Sequence, residues 1–200
     1  MSVHVAVVDS GGANIASVLQ ALQRLGASAE LTSDPQRIRA ATHVLLPGVG
    51  AAVPAMRLLR ERGLDRLLRS LTQPLLGICL GMQLLYAHSE EGDCECLGLL
   101  PGQVARLQPA AGIRVPHIGW NRMHALRRSS LLDGVEADAH VYFVHGYAAP
   151  VDAACIASSE HGGAFAAAVQ HGNVFGTQFH PERSAAAGAR VLANFLGFAA

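Results

Sequence analysis

The sequence predicts an α/β fold: a single domain over residues 1–200, with a mixed, mostly parallel sheet and flanking helices. Three observations carry this. Up to Cys79, short β-branched or apolar runs alternate with helical-period segments, the pattern of parallel strands covered on both faces. After Tyr86 the texture changes to short strands separated by turn residues, which reads as antiparallel strands added to the same sheet. Two hundred residues, half of them hydrophobic, suffice for one sizeable core.

The elements follow in order. Val3 to Val8 is a nearly continuous apolar run suited to a central parallel strand, broken by Asp9-Ser-Gly-Gly12. Ile15, Val18, Leu19, Leu22 and Leu25 recur at helical spacing, and Gly26 stands where a C-terminal cap belongs. Residues Ala27 to Leu31 form a second strand. Asp34 is placed to cap a short helix whose first turn carries Pro35. His43 to Leu46 is the third strand, ending in Pro47-Gly-Val-Gly50, and two helical segments then run to about Leu71. Leu75-Leu-Gly-Ile78 is the fourth strand, and Met82, Leu84 and Leu85 fit a helix beginning at Leu80. Strands are expected at Gln103–Leu107, His140–Val144, Ala154–Ser159, Ala164–Gln170 and Val174–Phe179, and an amphipathic helix over Ala185–Phe198. No repeat, low-complexity tract or linker divides the chain.

Composition excludes several functions. A formal net charge of zero argues against a nucleic-acid partner held by phosphate contacts. No apolar run is long enough to cross a bilayer and the N-terminus lacks a signal-peptide pattern, so no membrane partner is expected. A cytoplasmic chain with four reduced cysteines is the expectation. Cys94-Glu-Cys96 has no second pair at zinc spacing, so no metal is expected, and Cys155 reads as core. Asp9-Ser-Gly-Gly-Ala-Asn14 lacks the dinucleotide fingerprint and no phosphate-loop lysine follows it, so no cofactor is expected.

Chemistry points to the carboxyl ends of the parallel strands, where active sites of such sheets lie. Cys79 sits at a strand-to-helix junction between Gly77 and Gly81, the layout of a nucleophile elbow with a thiol in place of a hydroxyl. A helix N-terminus there would favour the thiolate, and the Leu80 N–H would be free to hold an oxyanion. By itself such a cysteine reads equally as a buried structural residue. Gln178-Phe-His-Pro-Glu182 supplies the rest. His180 and Glu182 are two apart, so in extended backbone they point the same way, and Pro181 biases His180 towards that backbone. A thiol needs a base, and the base needs an acceptor on its other nitrogen. His4, His43, His88, His124 and His171 lack such a pattern and read as structural or solvated. Pro47-Gly-Val-Gly50, alone a turn, could supply a second oxyanion N–H from the same sheet edge.

Gly77-Ile-Cys-Leu-Gly-Met-Gln83 with His180-Pro-Glu182 resembles the triad class of glutamine amidotransferases. Leu46-Pro-Gly-Val-Gly50, Pro116-His-Ile-Gly-Trp-Asn121, Tyr142-Phe-Val-His-Gly-Tyr147 and His180-Pro-Glu-Arg-Ser184 resemble, more narrowly, the glutaminase subunits of imidazole glycerol phosphate synthases. The matches run in order over nearly the whole chain. The resemblance implies a flavodoxin-like core and a single glutaminase domain. It implies that Cys79 attacks the side-chain amide of glutamine, His180 relays the proton and Glu182 orients His180. Val49 and Leu80 would form the oxyanion hole; Gly48, Gln83, His145, Gly146 and Tyr147 would cradle glutamine. A (βα)8-barrel cyclase subunit, making imidazole glycerol phosphate and AICAR in histidine biosynthesis, would be the heterodimer partner, met by Asn14, Trp120, Asn121, Tyr142 and Arg183. The chain departs from the family pattern at Ser10, Ala13, Ala52 and Arg183. These departures leave open a paralogue feeding a different acceptor synthase. A free-standing cysteine hydrolase of a related elbow-containing α/β family is the other alternative.

Overall fold

The computed structural model describes residues 3–11, 15–110 and 112–198. β1 (His4–Val8), β2 (Ser28–Thr32), β3 (His43–Gly48) and β4 (Leu75–Cys79) alternate with α1 (Ile15–Arg24), α2 (Pro35–Ala40), α3 (Ala52–Glu61) and α4 (Leu64–Arg69). Local chemistry ends these helices where expected. Asp34 accepts from the Gln36 N–H at 2.8 Å, and Gly26 takes a φ of +80° just past α1. After the single turn α5 (Leu80–Gln83) come β5 (Tyr86–Ser89), β6 (Cys94–Glu95), β7 (Leu100–Arg106), β8 (His117–Arg122), β9 (His124–Ala125) and β10 (His140–His145). The chain closes with β11 (Tyr147–Ala148), β12 (Cys155–Glu160), β13 (Ala164–His171), β14 (Val174–Thr177) and α6 (Ala185–Leu196).

Among the described residues the main sheet has eight strands, in the order β2-β1-β3-β4-β14-β13-β12-β9. β2, β1, β3, β4 and β14 run parallel; β13, β12 and β9 continue the sheet antiparallel. From β1 the chain steps outward to β2 and then returns to the other side of β1 for β3. That reversal opens a crevice at the carboxyl ends of the strands. Alternate residues of the buried strands feed two cores. Val5 and Val7 pack with Leu22, Leu45, Phe175 and Phe195, while Ala6 and Val8 pack with Leu46, Met56, Leu59 and Leu64.

Several expectations shift. Strand β2 starts one residue late, and β3 continues through Pro47 to Gly48. The helix from Leu80 stops after four residues, short of Leu84 and Leu85, and Tyr86 opens a strand. The later strands do not all join the first sheet. Among the described residues β7 pairs with β5 and β11 in a four-stranded sheet, β10 pairs only with β8, and β14 joins β4 parallel rather than antiparallel. Partner choice of this kind depends on contacts distant in sequence, which short-range patterning does not carry. No helix among the described residues is long and apolar enough to cross a membrane.

Candidate active site

β4 delivers Cys79 to the carboxyl edge with φ 54°, ψ −112°, a positive φ that a non-glycine residue adopts only under constraint. The glycines on either side make that elbow possible by allowing close approach. A Cβ on Gly81 would lie 1.8 Å from the Leu46 carbonyl oxygen, and one on Gly77 would lie 2.7 Å from the Gly81 carbonyl. Gly48 has the same role: a Cβ there would meet the Gly81 nitrogen at 2.7 Å. It is packed behind the elbow and does not line the cavity. The expected help from a helix N-terminus is small, because α5 is one turn and aligns few peptide dipoles.

β14 brings His180 to the same edge. His180 lies just beyond it in extended backbone, φ −93°, ψ 99°. Glu182 does not extend the strand as expected. It sits in a 3₁₀ turn over Pro181–Arg183 that folds its side chain back onto the imidazole. His180 Nδ1 lies 2.8 Å from Glu182 Oε1, with side chains 5% and 1% exposed. A carboxylate only accepts, so Nδ1 carries a proton, and while the Cys79 thiol holds its own proton Nε2 is the lone-pair acceptor of the neutral imidazole. Nε2 is buried without a hydrogen-bond partner. Burial disfavours the imidazolium, but Cys79 and Glu182 outweigh it and raise the His180 pKa well above its ordinary value, so transfer of the thiol proton to Nε2 is favoured. The backbone is pinned too: the His180 N–H donates to Tyr142 O at 2.9 Å, and Ser184 Oγ donates to His180 O at 2.7 Å.

Cys79 and His180 share a cavity of about 250 Å³ with Val49 and Leu80. Gln83 and the run His145-Gly146-Tyr147 line it as well. The Cys79 sulfur lies 3.7 Å from Val144 O and 3.8 Å from Gln178 Nε2. In this arrangement the thiol donates to the Val144 carbonyl while His180 Nε2 stands free to receive its proton. Gln83 enters the cavity differently from expectation. Its Nε2 donates to both Tyr147 O at 2.8 Å and Gln178 Oε1 at 3.0 Å, so only its Oε1 remains for a ligand.

Tyr147 O is a hub. His145 Nδ1 also donates to it, at 2.8 Å, which leaves His145 Nε2 to accept from His117 Nδ1 at 3.1 Å. His117 Nε2 in turn accepts from the Asn121 amide at 3.3 Å. Both imidazoles must therefore be neutral. Burial pushes their pKa values down, to about 4 for His117 and about 3 for His145.

Residues expected at a partner surface gather on the β8–β10 pair. Trp120 and Tyr142 face each other across it, their rings 6.0 Å apart and edge-on, and the Arg183 guanidinium lies 4.4 Å over the Tyr142 ring. Trp120 is 53% exposed. Asn121 is spent internally, on His117 and on Glu160 O at 2.9 Å. Asn14 and Ala13 lie outside the described residues. Ser10 donates to the Pro47 carbonyl at 2.6 Å, holding the strand that precedes Val49, and the Ala52 N–H donates to Glu91 at 2.8 Å. Three site residues escaped the sequence: Glu91, which lines the cavity, His117 and Gln178. Gln178 left a trace, as a polar residue inside an apolar strand end; Glu91 left none. Cys94, Cys96 and Cys155 are buried free thiols away from the cavity, and burial pushes Cys96 up to about 12.

The chain as a whole is similar to known proteins. Residues 6–197 match the family model described as glutamine amidotransferase class-I. The chain is 59% identical to the imidazole glycerol phosphate synthase subunit HisH of Xanthomonas axonopodis pv. citri, over 96% of each chain. It is 57% identical to the same subunit of Xylella fastidiosa, again over 96% of each. A crystal structure of a glutamine amidotransferase superposes with a TM-score of 0.75 at 21% identity, covering 96% of this chain and 97% of that one. PurLQS from Thermotoga maritima does so with a TM-score of 0.72 at 21% identity, covering 98% and 99%. The solved structures establish the shared fold; the family model and the HisH relatives go further, and the chain belongs to the class-I glutamine amidotransferases, within the HisH subunits of imidazole glycerol phosphate synthase.

Proposed function

We propose that this chain is the cytoplasmic glutaminase subunit of an imidazole glycerol phosphate synthase, working through a Cys79-His180-Glu182 triad. One observation carries the mechanism. His180 has its Nδ1 tied to Glu182 and its Nε2 buried without a partner, in the cavity that holds Cys79. His180 Nε2 takes the thiol proton, and the thiolate attacks the side-chain carbonyl of glutamine. Negative charge on the carbonyl oxygen is held by the N–H groups of Leu80 and Val49. His180 returns the proton to the departing nitrogen, ammonia leaves, and a γ-glutamyl thioester remains. Water, deprotonated by His180, then releases glutamate and restores the thiol. Glu182 holds the imidazole in the required tautomer and stabilises its cationic form. Glu91, a carboxylate in the cavity wall, complements the α-ammonium of the substrate. The Gln83 Oε1 accepts from the substrate, and His145-Gly146-Tyr147 shape the cradle.

Ammonia freed into water at neutral pH is protonated and loses its nucleophilicity, so it must pass directly to an acceptor enzyme. The surface for that partner, a (βα)8-barrel cyclase subunit, is supported by Ile118, Trp120 and Val144, large apolar side chains exposed on the β8–β10 pair. Val144 also lines the cavity, so this patch adjoins the site where ammonia forms. The test is to assay glutamine- and ammonia-dependent synthesis in the reconstituted complex. Cys79→Ala should abolish the first and leave the second intact. Glutamine-dependent turnover above a few per cent would refute the triad. A chain hydrolysing glutamine equally well with and without the barrel would point to a free-standing hydrolase.

A further inference from the structure

We propose that Gln178 is a further catalytic residue: its amide N–H holds the Cys79 sulfur, in a direction imposed through Gln83 by the carbonyl of Tyr147. The proposal builds on Cys79 as the nucleophile. A backbone carbonyl can only accept, so Gln83, 2.8 Å from Tyr147 O, must present its amide nitrogen there. The same nitrogen lies 3.0 Å from Gln178, and its second hydrogen obliges Gln178 to offer Oε1. The end of Gln178 that remains, Nε2, faces Cys79 Sγ at 3.8 Å. Turning either amide over would set two donors or two acceptors against each other. The orientation is therefore fixed from the Tyr147 carbonyl outward.

Burial gives this chain weight. Gln178 is 0% exposed and Gln83 is 4% exposed, and a polar group so buried is costly unless it is bonded. At 3.8 Å the contact with a neutral thiol is long, but hydrogen bonds to ionised groups shorten and strengthen. Gln178 thus favours the thiolate over the thiol. It does so beside the His180 imidazolium, which holds the thiolate from the other side. Val144 O, 3.7 Å from the sulfur, turns its negative end towards it, and the single turn α5 offers little opposing dipole. The same N–H assists deacylation. When the tetrahedral adduct collapses, the carbon–sulfur bond breaks, its electron pair goes to sulfur, and the Gln178 donor stabilises that charge before His180 returns a proton.

The experiment is the pH dependence of Cys79 alkylation by iodoacetamide in the full chain, read by mass spectrometry of the Cys79 peptide without glutamine present. Gln178→Met keeps the side-chain length and removes the donor. The alkylation midpoint should rise by about one pH unit, a roughly tenfold smaller thiolate fraction at neutral pH. Gln83→Leu keeps Gln178 but frees it to turn, so the midpoint should rise in part, and the double variant should rise no further than Gln178→Met alone. An unchanged midpoint in a folded Gln178→Met chain overturns the proposal. If that variant does not fold, an unchanged midpoint in Gln83→Leu overturns it. Failure of the nucleophile assignment would show separately, as glutamine hydrolysis surviving in Cys79→Ala, whereas the alkylation midpoint reports on Gln178 in either case.

Discussion

Replacing Glu182 by glutamine should separate the two things its carboxylate does. The glutamine Oε1 can take the place of the carboxylate oxygen that lies 2.8 Å from His180 Nδ1, so the imidazole keeps its tautomer and orientation. What is lost is a negative charge beside a histidine that becomes cationic once it holds the thiol proton. Two unit charges about 4 Å apart interact by about 4 kcal/mol at an effective dielectric constant of 20. At about 1.4 kcal/mol per decade, the rate should fall about 10³-fold. A smaller cost falls on stability. Glu182 Oε2 is buried without a partner, and the amide nitrogen that replaces it would be an unpaired buried donor, worth roughly 1–3 kcal/mol. Glutaminase turnover measures the first effect, and urea unfolding of the isolated chain measures the second. The His180 pKa, raised in the native protein, should fall in the variant, as the pH dependence of NMR imidazole shifts would show. Turnover within tenfold of the parent would refute the reasoning, because another group would then be stabilising the imidazolium.

Two further outcomes follow from the same geometry. Gly81→Ala places a Cβ 1.8 Å from the Leu46 carbonyl oxygen, a backbone atom that cannot rotate away, so β3 and the elbow must separate. Destabilisation at or above about 3 kcal/mol is expected in urea titration, the upper end for overpacking, and a near-normal midpoint would contradict the close approach. The second concerns pH. His117 and His145 are held neutral, with pKa values lowered from 6.5 to about 4 and about 3. Between those values and 6.5 the unfolded chain binds more protons than the native one, so stability should fall as pH drops from 6.5 towards 3. His117→Gln removes one of these titrations and should flatten the fall; an equal slope in variant and parent would mean that His117 is not held neutral.

Much of the site was legible because its chemistry is written in short segments. Gly77, Cys79 and Gly81 announce an elbow through spacing alone, and His180-Pro-Glu182 announces a base with its acceptor. Local signals also placed β1, α1, the Asp34 cap and the crevice at the strand ends correctly, since periodicity and turn chemistry act over a few residues. Even so, the expected contact forms through a different backbone: Glu182 meets His180 from a 3₁₀ turn, not along a strand.

The amino-acid sequence by itself determined the α/β class, the residues proposed as the triad and the family to which the chain belongs. Tertiary structure alone decided which strands share a sheet after Tyr86, why Gly48 is a packing residue, and where each amide and imidazole points. The reason lies in range. A nucleophile elbow is built from neighbours. The Tyr147 carbonyl, by contrast, gathers Gln83, His145 and, through them, Gln178 and His117 from four separate strands and turns. The direction of every hydrogen bond in that set follows from one backbone acceptor, and its position is known only once the chain has folded around it.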